Sequence, residues 1–421
     1  MKRPGRPPAT RAAPADERFA WPAVAIFSVA LVVRLIHLWQ IHRAPFFTVL
    51  MGDAGAYDTW AQEIARGDWV GHEVFYQAPL YPYFLGAIYA IAGRDLTIVR
   101  ICQAIMGSLA CVLLALVGRR LFSKRVGVIA GFALALYAPA IFFDGLVQKS
   151  VLDVFFICLA LWLLSGLVVD PSTPVILSLS RDDRRSGRGR RLSWLWLGLA
   201  MGGLSLTREN ALVFIGVILL WALLARRHLG NQRFVAAGIF LLGLAIVLLP
   251  VAARNRMVGG GFYPATSQFG PNFYIGNNER SDGTYMPLRF GRGAPEYERQ
   301  DATELAERAA GRHLTPAEVS RYWTEQALAY IRSHPARWLK LLGRKAMLVW
   351  NATEMLDTES QASYAEWSTP VRIAGWFGHF GVLVPLALFG IWATWAERSR
   401  LWLLYAMSMA YAASVVNTST F

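Results

Sequence analysis

Long blocks of nearly uncharged, apolar sequence constrain this chain more than any other feature. Segments 126–143, 148–169, 210–225, 233–253 and 375–394 reach or approach the roughly 20 residues a helix needs to cross a bilayer core. The chain therefore reads as an all-α, polytopic membrane protein whose buried core lies within the membrane. Its make-up agrees, with 55% hydrophobic and only 17% charged residues in 421. The net charge of +14 does not point to nucleic acid, because the basic residues cluster in short loops between apolar blocks. Cys102, Cys111 and Cys158 all lie in apolar segments without CxxC spacing and read as small buried hydrophobes.

Loop charge sets the orientation. Lys and Arg accumulate on the cytoplasmic side of short loops. The N-terminal tail (1–18), 119–125, 181–191, 226–233 and 397–400 are the basic candidates for that side. The parity works if 79–93, "PLYPYFLGAIYAIAG", lies at the interface or re-enters rather than crossing. The basic stretch 337–351 is then an amphipathic helix on the outer surface. Spans are expected near 20–41, 97–118, 126–143, 149–168, 194–207, 210–225, 234–253, 371–394 and 401–418. The first, following a basic tail and lacking a small-residue cleavage site, reads as a retained signal anchor.

This divides the chain into a cytoplasmic tail (1–18), a transmembrane module (19–253) with a first outer loop (43–96), an extracytoplasmic region (254–370) and a C-terminal transmembrane hairpin (371–421). Ending straight after an apolar segment, the chain is expected to be a truncated copy of something longer. In the outer region Thr315, Pro316 and Glu318 have the spacing of a capped helix start.

Charged residues gather at the outer ends of the expected spans. Asp53, in "MGDAGAYDTWAQEIARGDW" with Asp58, reads either as a general base or as the N-cap of a helix over 54–66 carrying Tyr57, Trp60 and Ile64 on one face. Asp144 lies in an outer turn, where an acid needs a cavity or a cation, and Lys149 is near enough in sequence to neutralise it. Arg208 and Glu209 sit between two spans. They read as a phosphate contact at headgroup level or as a local ion pair. Arg34 and His37 lie in the outer half of the first span and read as structural. Asp153 begins a span and reads as a cap or a minor site residue.

The order of these features resembles a known group: a first span, an acidic outer loop with Asp and Tyr, "PLYP", "GRRLFSKR", an outer-turn Asp and "GLSLTREN". It resembles the GT-C superfamily of polyprenyl-phosphate-sugar glycosyltransferases. Within it the chain is similar to bacterial members related to protein O-mannosyltransferases and aminoarabinose transferases, the glycosyltransferase 39 type. "GPNFYIGNN" (270–278) and 334–354 are also similar to bacterial members.

The resemblance implies a GT-C-like helical bundle with large extracytoplasmic loops bearing interfacial helices. It implies Asp53 as the base that deprotonates the acceptor and Asp144 as a second catalytic acid. Many relatives have an acid directly after the first Asp, where this chain has Ala54, and some have a cation where it has Gln77. Phosphate and substrate contacts are therefore expected from Lys149, Arg208 and His72, with Tyr57, Gln77 and Glu209 beside them. No metal ligands and no cofactor are expected. The expected partners are a polyprenyl-phosphate-linked sugar, a protein, lipid or glycan acceptor, and the bilayer, but not nucleic acid. The expected setting is a bacterial inner membrane with the site facing the periplasm. A transporter, a lipid-linked glycan polymerase or ligase, and an inactive scaffold are the competing readings.

Overall fold

The computed structural model describes residues 17–169, 187–225, 230–259, 261–352 and 358–418. The tail over 1–16, and most of the basic loops at 181–191 and 226–233, lie outside the described residues. The described residues are mostly helical and include no strand.

The first half comprises α1 (Glu17–Ile41), α2 (Asp53–Ala65), α3 (Leu80–Ala92), α4 (Leu96–Leu121), α5 (Lys124–Ala135), α6 (Ala138–Gly145), α7 (Ser150–Val169), α8 (Gly187–Ser205) and α9 (Leu212–Leu220). Then come α10 (Gln232–Met257), α11 (Phe269–Gly276), α12 (Pro295–Ala310), α13 (Pro316–Ser333) and α14 (Pro335–Val349). The chain closes with α15 (Gln361–Trp367), α16 (Thr369–Gly375), α17 (Phe380–Ala393) and α18 (Arg398–Thr418).

Among the described residues, four helices (α1, α4, α7 and α10) are long and apolar enough to cross a membrane. Counting α5 with α6 and α16 with α17 as bent spans gives up to six, with bends of 50° and 48°. This is fewer than the nine expected from hydropathy. The segments at 194–207, 210–225 and 401–418 are helical, but each is too short or too polar to qualify by itself. Arg188, Arg190 and Arg191 open α8, and the apolar helix following Glu209 is short. Helix α3, at 13 residues, is about 20 Å long and shorter than a bilayer core.

Apolar burial explains the packing. Leu163, Met201, Phe214, Phe240 and Met407 join α7, α8, α9, α10 and α18 in one cluster. Tyr57, Ala61, Tyr81, Leu85 and Val151 join α2 and α3 to α4 and α7. Helices α8 and α10 cross at Gly198 and Gly243, where a Cβ would lie 2.2 Å and 2.4 Å from backbone oxygens of the facing helix. Small residues of this kind let membrane helices approach closely. Outside the bundle, Thr315, Pro316 and Glu318 start α13 with a full capping box, and its hydrogen bonds, Arg312's first, hold Glu318 down at about 2.

One ion pair anchors the membrane half. Arg34 Nε donates to Asp144 Oδ2 at 2.6 Å, with both residues buried. Arg34 Nη1 also donates to the carbonyls of Ala30 and Ala135. Asp144 is thus held by a cation 110 positions away in sequence, not by Lys149. Gly107 makes room, since a Cβ there would fall 2.0 Å from Asp144 Oδ2 and 2.9 Å from Arg34 Nε. Separating a buried pair costs about 3–5 kcal/mol. We expect Gly107→Ala to lower the thermal midpoint of the detergent-solubilised protein sharply. An unchanged midpoint would mean that the pair contributes little.

Candidate active site

Helix α2 presents Asp53 at its first position. The cap before it is Gly52, at φ +55°, a conformation that favours glycine. Asp53 is therefore not the N-cap but the first residue of the helix. Gln77 Nε2 donates to Asp53 Oδ1 at 2.9 Å. The buried stripe of α2 is Tyr57, Ala61 and Ile64, whereas Trp60 turns toward the ring of Phe75 at 5.2 Å. Asp58, the second acid of this stretch, is committed to structure. It accepts from Tyr89 Oη at 2.7 Å and from Arg94 at 2.9–3.1 Å, which clamps α2 to the end of α3.

Leu80 N donates to the carbonyl of Leu206 at 3.1 Å, which brings the Gln77 segment alongside the turn after α8. Arg208 Nε donates to Asp153 Oδ2 at 2.8 Å, and its Nη1 donates to Tyr411 Oη at 3.1 Å. Glu209 accepts instead from Thr266 and from Gln268 Nε2, the latter at 3.2 Å. The local Arg208–Glu209 pair considered from sequence is not formed. Lys149 lies where its charge bears on Glu209.

Tyr57 closes this enclosure. Its side chain is fully buried, and its hydroxyl has no partner among the described residues, nor does Asp153 Oδ1. Burial first, then the charges of Asp53 and Asp153, hold the Tyr57 phenol well above its ordinary range, with Arg208 opposing. Among the described residues, two buried oxygens without hydrogen-bond partners thus lie near Arg208 and Asp53.

A second acid comes from the region after α10. Glu298, on α12, accepts from Tyr76 Oη at 2.9 Å and Tyr285 Oη at 3.0 Å. Burial raises its pKa and the nearby Asp53 charge adds to this, against the two tyrosine hydrogen bonds. Sequence reasoning missed Glu298, because "PEYERQDATE" reads as the solvated face of a charged helix. Nothing in that spacing tells Glu298 from its exposed neighbours.

A cleft of about 370 Å³ is lined among others by Trp60, Glu63, His72, Phe75, Arg254 and Gln77, the residue that hydrogen-bonds to Asp53. Arg254 stacks on Phe75 at 3.8 Å and donates to the carbonyls of Val70 and Glu73, stiffening the wall. His72 stands at the rim, almost fully exposed and 3.6 Å from Asp68.

The structure thus brings Asp53, Tyr57, Gln77, Lys149, Arg208 and Glu209 into one neighbourhood, with His72 on the open side. Asp144 is set apart from them. It is sealed against Arg34 and reaches the site only through its backbone carbonyl, which accepts from Gln103 Nε2 at 3.0 Å. The side chain expected to be catalytic is thus paired with Arg34 and lies apart from the group around Asp53. Among the described residues, no three His, Cys, Asp or Glu side chains gather as a metal site.

Residues 76–179 match the family described as dolichyl-phosphate-mannose-protein mannosyltransferase. The superfamily resemblance read in the sequence is borne out by this match. The matched segment includes Gln77, Asp144, Lys149 and Asp153. No protein of curated function matches the chain significantly.

Three solved structures are similar to the chain. The S. cerevisiae protein O-mannosyltransferase Pmt1–Pmt2 complex bound to the sugar donor is 15% identical over 65% of this chain and 38% of that one, with a TM-score of 0.46. ArnT from Cupriavidus metallidurans bound to undecaprenyl phosphate is 17% identical over 95% and 77%, at 0.45. The Archaeoglobus fulgidus oligosaccharyltransferase complex with zinc and sulfate is 14% identical over 94% and 48%, at 0.42. The chain spans well under half the length of the yeast protein and about half that of the archaeal one.

The acid on α12 gives a pH test. A raised folded-state pKa means that Glu298 costs no stability while both states are protonated. The cost appears as pH rises past the ordinary glutamate range and is complete once the folded carboxyl ionises. The thermal midpoint of Glu298→Gln should therefore gain on wild type as pH rises from about 4 to about 8. A difference that does not change with pH would contradict this.

Proposed function

We propose that the protein is a membrane glycosyltransferase. It moves a sugar from a polyprenyl-phosphate donor to a nucleophile on a protein, lipid or glycan, on the extracytoplasmic side of a bacterial inner membrane. The observation that carries the reading is the placement of Asp53. Its carboxylate sits at a helix start, is held by Gln77 from the wall of an open cleft, and acts with Arg208 on the buried Tyr57 hydroxyl. The mannosyltransferase family match over 76–179 supports the same reaction class.

In this reading the acceptor enters along the cleft, with Trp60 and Phe75 as its apolar wall. Asp53 takes the proton from the acceptor hydroxyl as the oxygen attacks the anomeric carbon. The bond from that carbon to the phosphate oxygen breaks, and polyprenyl phosphate leaves with the electron pair. One displacement inverts the anomeric centre. Arg208 and Lys149 supply positive charge where the leaving phosphate gains negative charge. Tyr57 donates its unpartnered hydroxyl to a donor oxygen. Burial and the nearby Asp53 charge disfavour ionisation of Glu298, which eases the repulsion between the two acids.

The test uses protein in lipid nanodiscs with radiolabelled polyprenyl-phosphate sugars and a membrane extract as acceptor. Asp53→Asn should reduce label transfer by about 10²–10⁴-fold, the usual contribution of a general base, with the thermal midpoint near wild type. Wild-type transfer that persists in Asp53→Asn would remove Asp53 from the chemistry. No transfer from any donor by folded wild type would remove the glycosyltransferase reading.

A further inference from the structure

Lys345 is fully buried on α14, and its ammonium has no hydrogen-bond or ion-pair partner among the described residues. Leu341 and Lys345, one turn apart, form the buried face of this helix. Trp338 on α14 donates to Asn277 Oδ1 at 3.0 Å, and Asn277 donates to the carbonyl of Asn417 on α18 at 2.9 Å. The stem of Lys345 packs on Gly283, where a Cβ would sit 3.5 Å from its Cγ.

The acids of the facing segment are committed elsewhere. Asp282 binds Thr284 and lies 3.5 Å from Arg344, and Glu279 lies 3.4 Å from Arg337. Lys345 is left as a cation without a counter-charge. Burial alone lowers its pKa to about 8, so it stays mostly protonated at neutral pH. A buried ammonium of this kind is stable only if something anionic meets it.

The rest of α14 indicates where that anion comes from. Leu339, Met347 and Trp350 are exposed, interleaved with Arg337, Lys340 and Arg344. A helix with exposed apolar and basic residues lies at a bilayer surface, at the level of lipid phosphates. The flexible four-carbon stem of lysine lets its head turn toward such a group.

We propose that Lys345 is the cation of a phosphate-ester site where α14 meets residues 282–285. The ligand is the phosphate of a membrane lipid, supplied either by a polyprenyl phosphate or by a phospholipid headgroup. The site is separate from the Arg208 enclosure and joined to it through Tyr285, which hydrogen-bonds Glu298. Only the polyprenyl source rests on the glycosyltransferase reading, and there the site is a docking place for the arriving donor or departing product.

The experiment measures thermal midpoints and radiolabelled undecaprenyl phosphate binding for the full chain in detergent, comparing wild type with Lys345→Met. Methionine keeps the length and removes the charge. Without ligand, Lys345→Met should melt no lower than wild type. It should lose the Lys345-dependent part of undecaprenyl phosphate binding, with fewer molecules bound per chain at saturation and a smaller ligand-induced rise in midpoint. Equal binding by both proteins overturns the proposal, as does a Lys345→Met variant that melts far lower in the absence of ligand.

Phosphatidylglycerol and inorganic phosphate separate the sources. If phosphatidylglycerol binds in a Lys345-dependent way and undecaprenyl phosphate does not displace it, the site is a headgroup site and the polyprenyl assignment falls. If only inorganic phosphate binds, the lipid assignment falls. Label transfer in the same preparations keeps the two readings apart. Lys345-dependent binding without any wild-type transfer ends the transferase reading and leaves the site standing. Transfer with unchanged donor binding in Lys345→Met does the reverse.

Discussion

The buried pair between Arg34 and Asp144 is the interaction on which the arrangement of the site depends. It ties α1 to α6 in a low-dielectric interior, where one of these charges alone would be costly. The carbonyls of Asp144 and Leu146, fixed by that pair, both accept from Gln103 Nε2 on α4. Gln103 Oε1 then accepts from Tyr81 Oη at 2.6 Å, and Tyr81 packs edge-on against Tyr57. Tyr57 lies one helical turn from Asp53. A chain of contacts thus runs from the membrane interior to the proposed base, and each link fixes the orientation of the next.

At the end of that chain the polar groups divide into two kinds. Some are fully engaged: Asp58 by Arg94 and Tyr89, and Glu298 by two tyrosines. Others are held in place and still have capacity, namely the Tyr57 hydroxyl and Asp153 Oδ1. The first kind gives rigidity, and in the proposed reading the second kind meets the substrate. Preorganised groups of this sort cost no rearrangement at the moment of reaction. In the proposed reading the cleft lined by Gln77 takes the acceptor and the group around Arg208 takes the lipid-phosphate donor.

Much of this was legible in the sequence where a single segment carries the signal. The apolar blocks of α1, α4, α7 and α10 announce long helices, and the Thr315 box announces the start of α13. Local context singles out Asp53, Arg208 and Glu209, the family resemblance singles out Gln77, and the structure brings the four together. What stayed hidden depends on distant pairing. The partner of Asp144 is a residue inside the first span rather than the nearby Lys149, because burial selects the cation that can reach it without water. Glu298 sits in a charged helix whose pattern reads as solvated, and Lys345 in a helix read as amphipathic and basic, so only the tertiary fold shows that Glu298 meets two tyrosines and that Lys345 is buried. The span count fell below expectation because hydropathy treats bent, short and full-length helices alike.

The central claim is that the donor phosphate sits beside Arg208, under the Tyr57 hydroxyl and within reach of Asp53. The most direct test is a cryo-electron microscopy map of the full chain bound to undecaprenyl phosphate. The account predicts phosphate density against the Arg208 guanidinium, with the lipid tail running into the bilayer and the Asp53 carboxylate facing the open side. Density that leaves the enclosure empty and places the phosphate away from both Arg208 and Asp53 would contradict it.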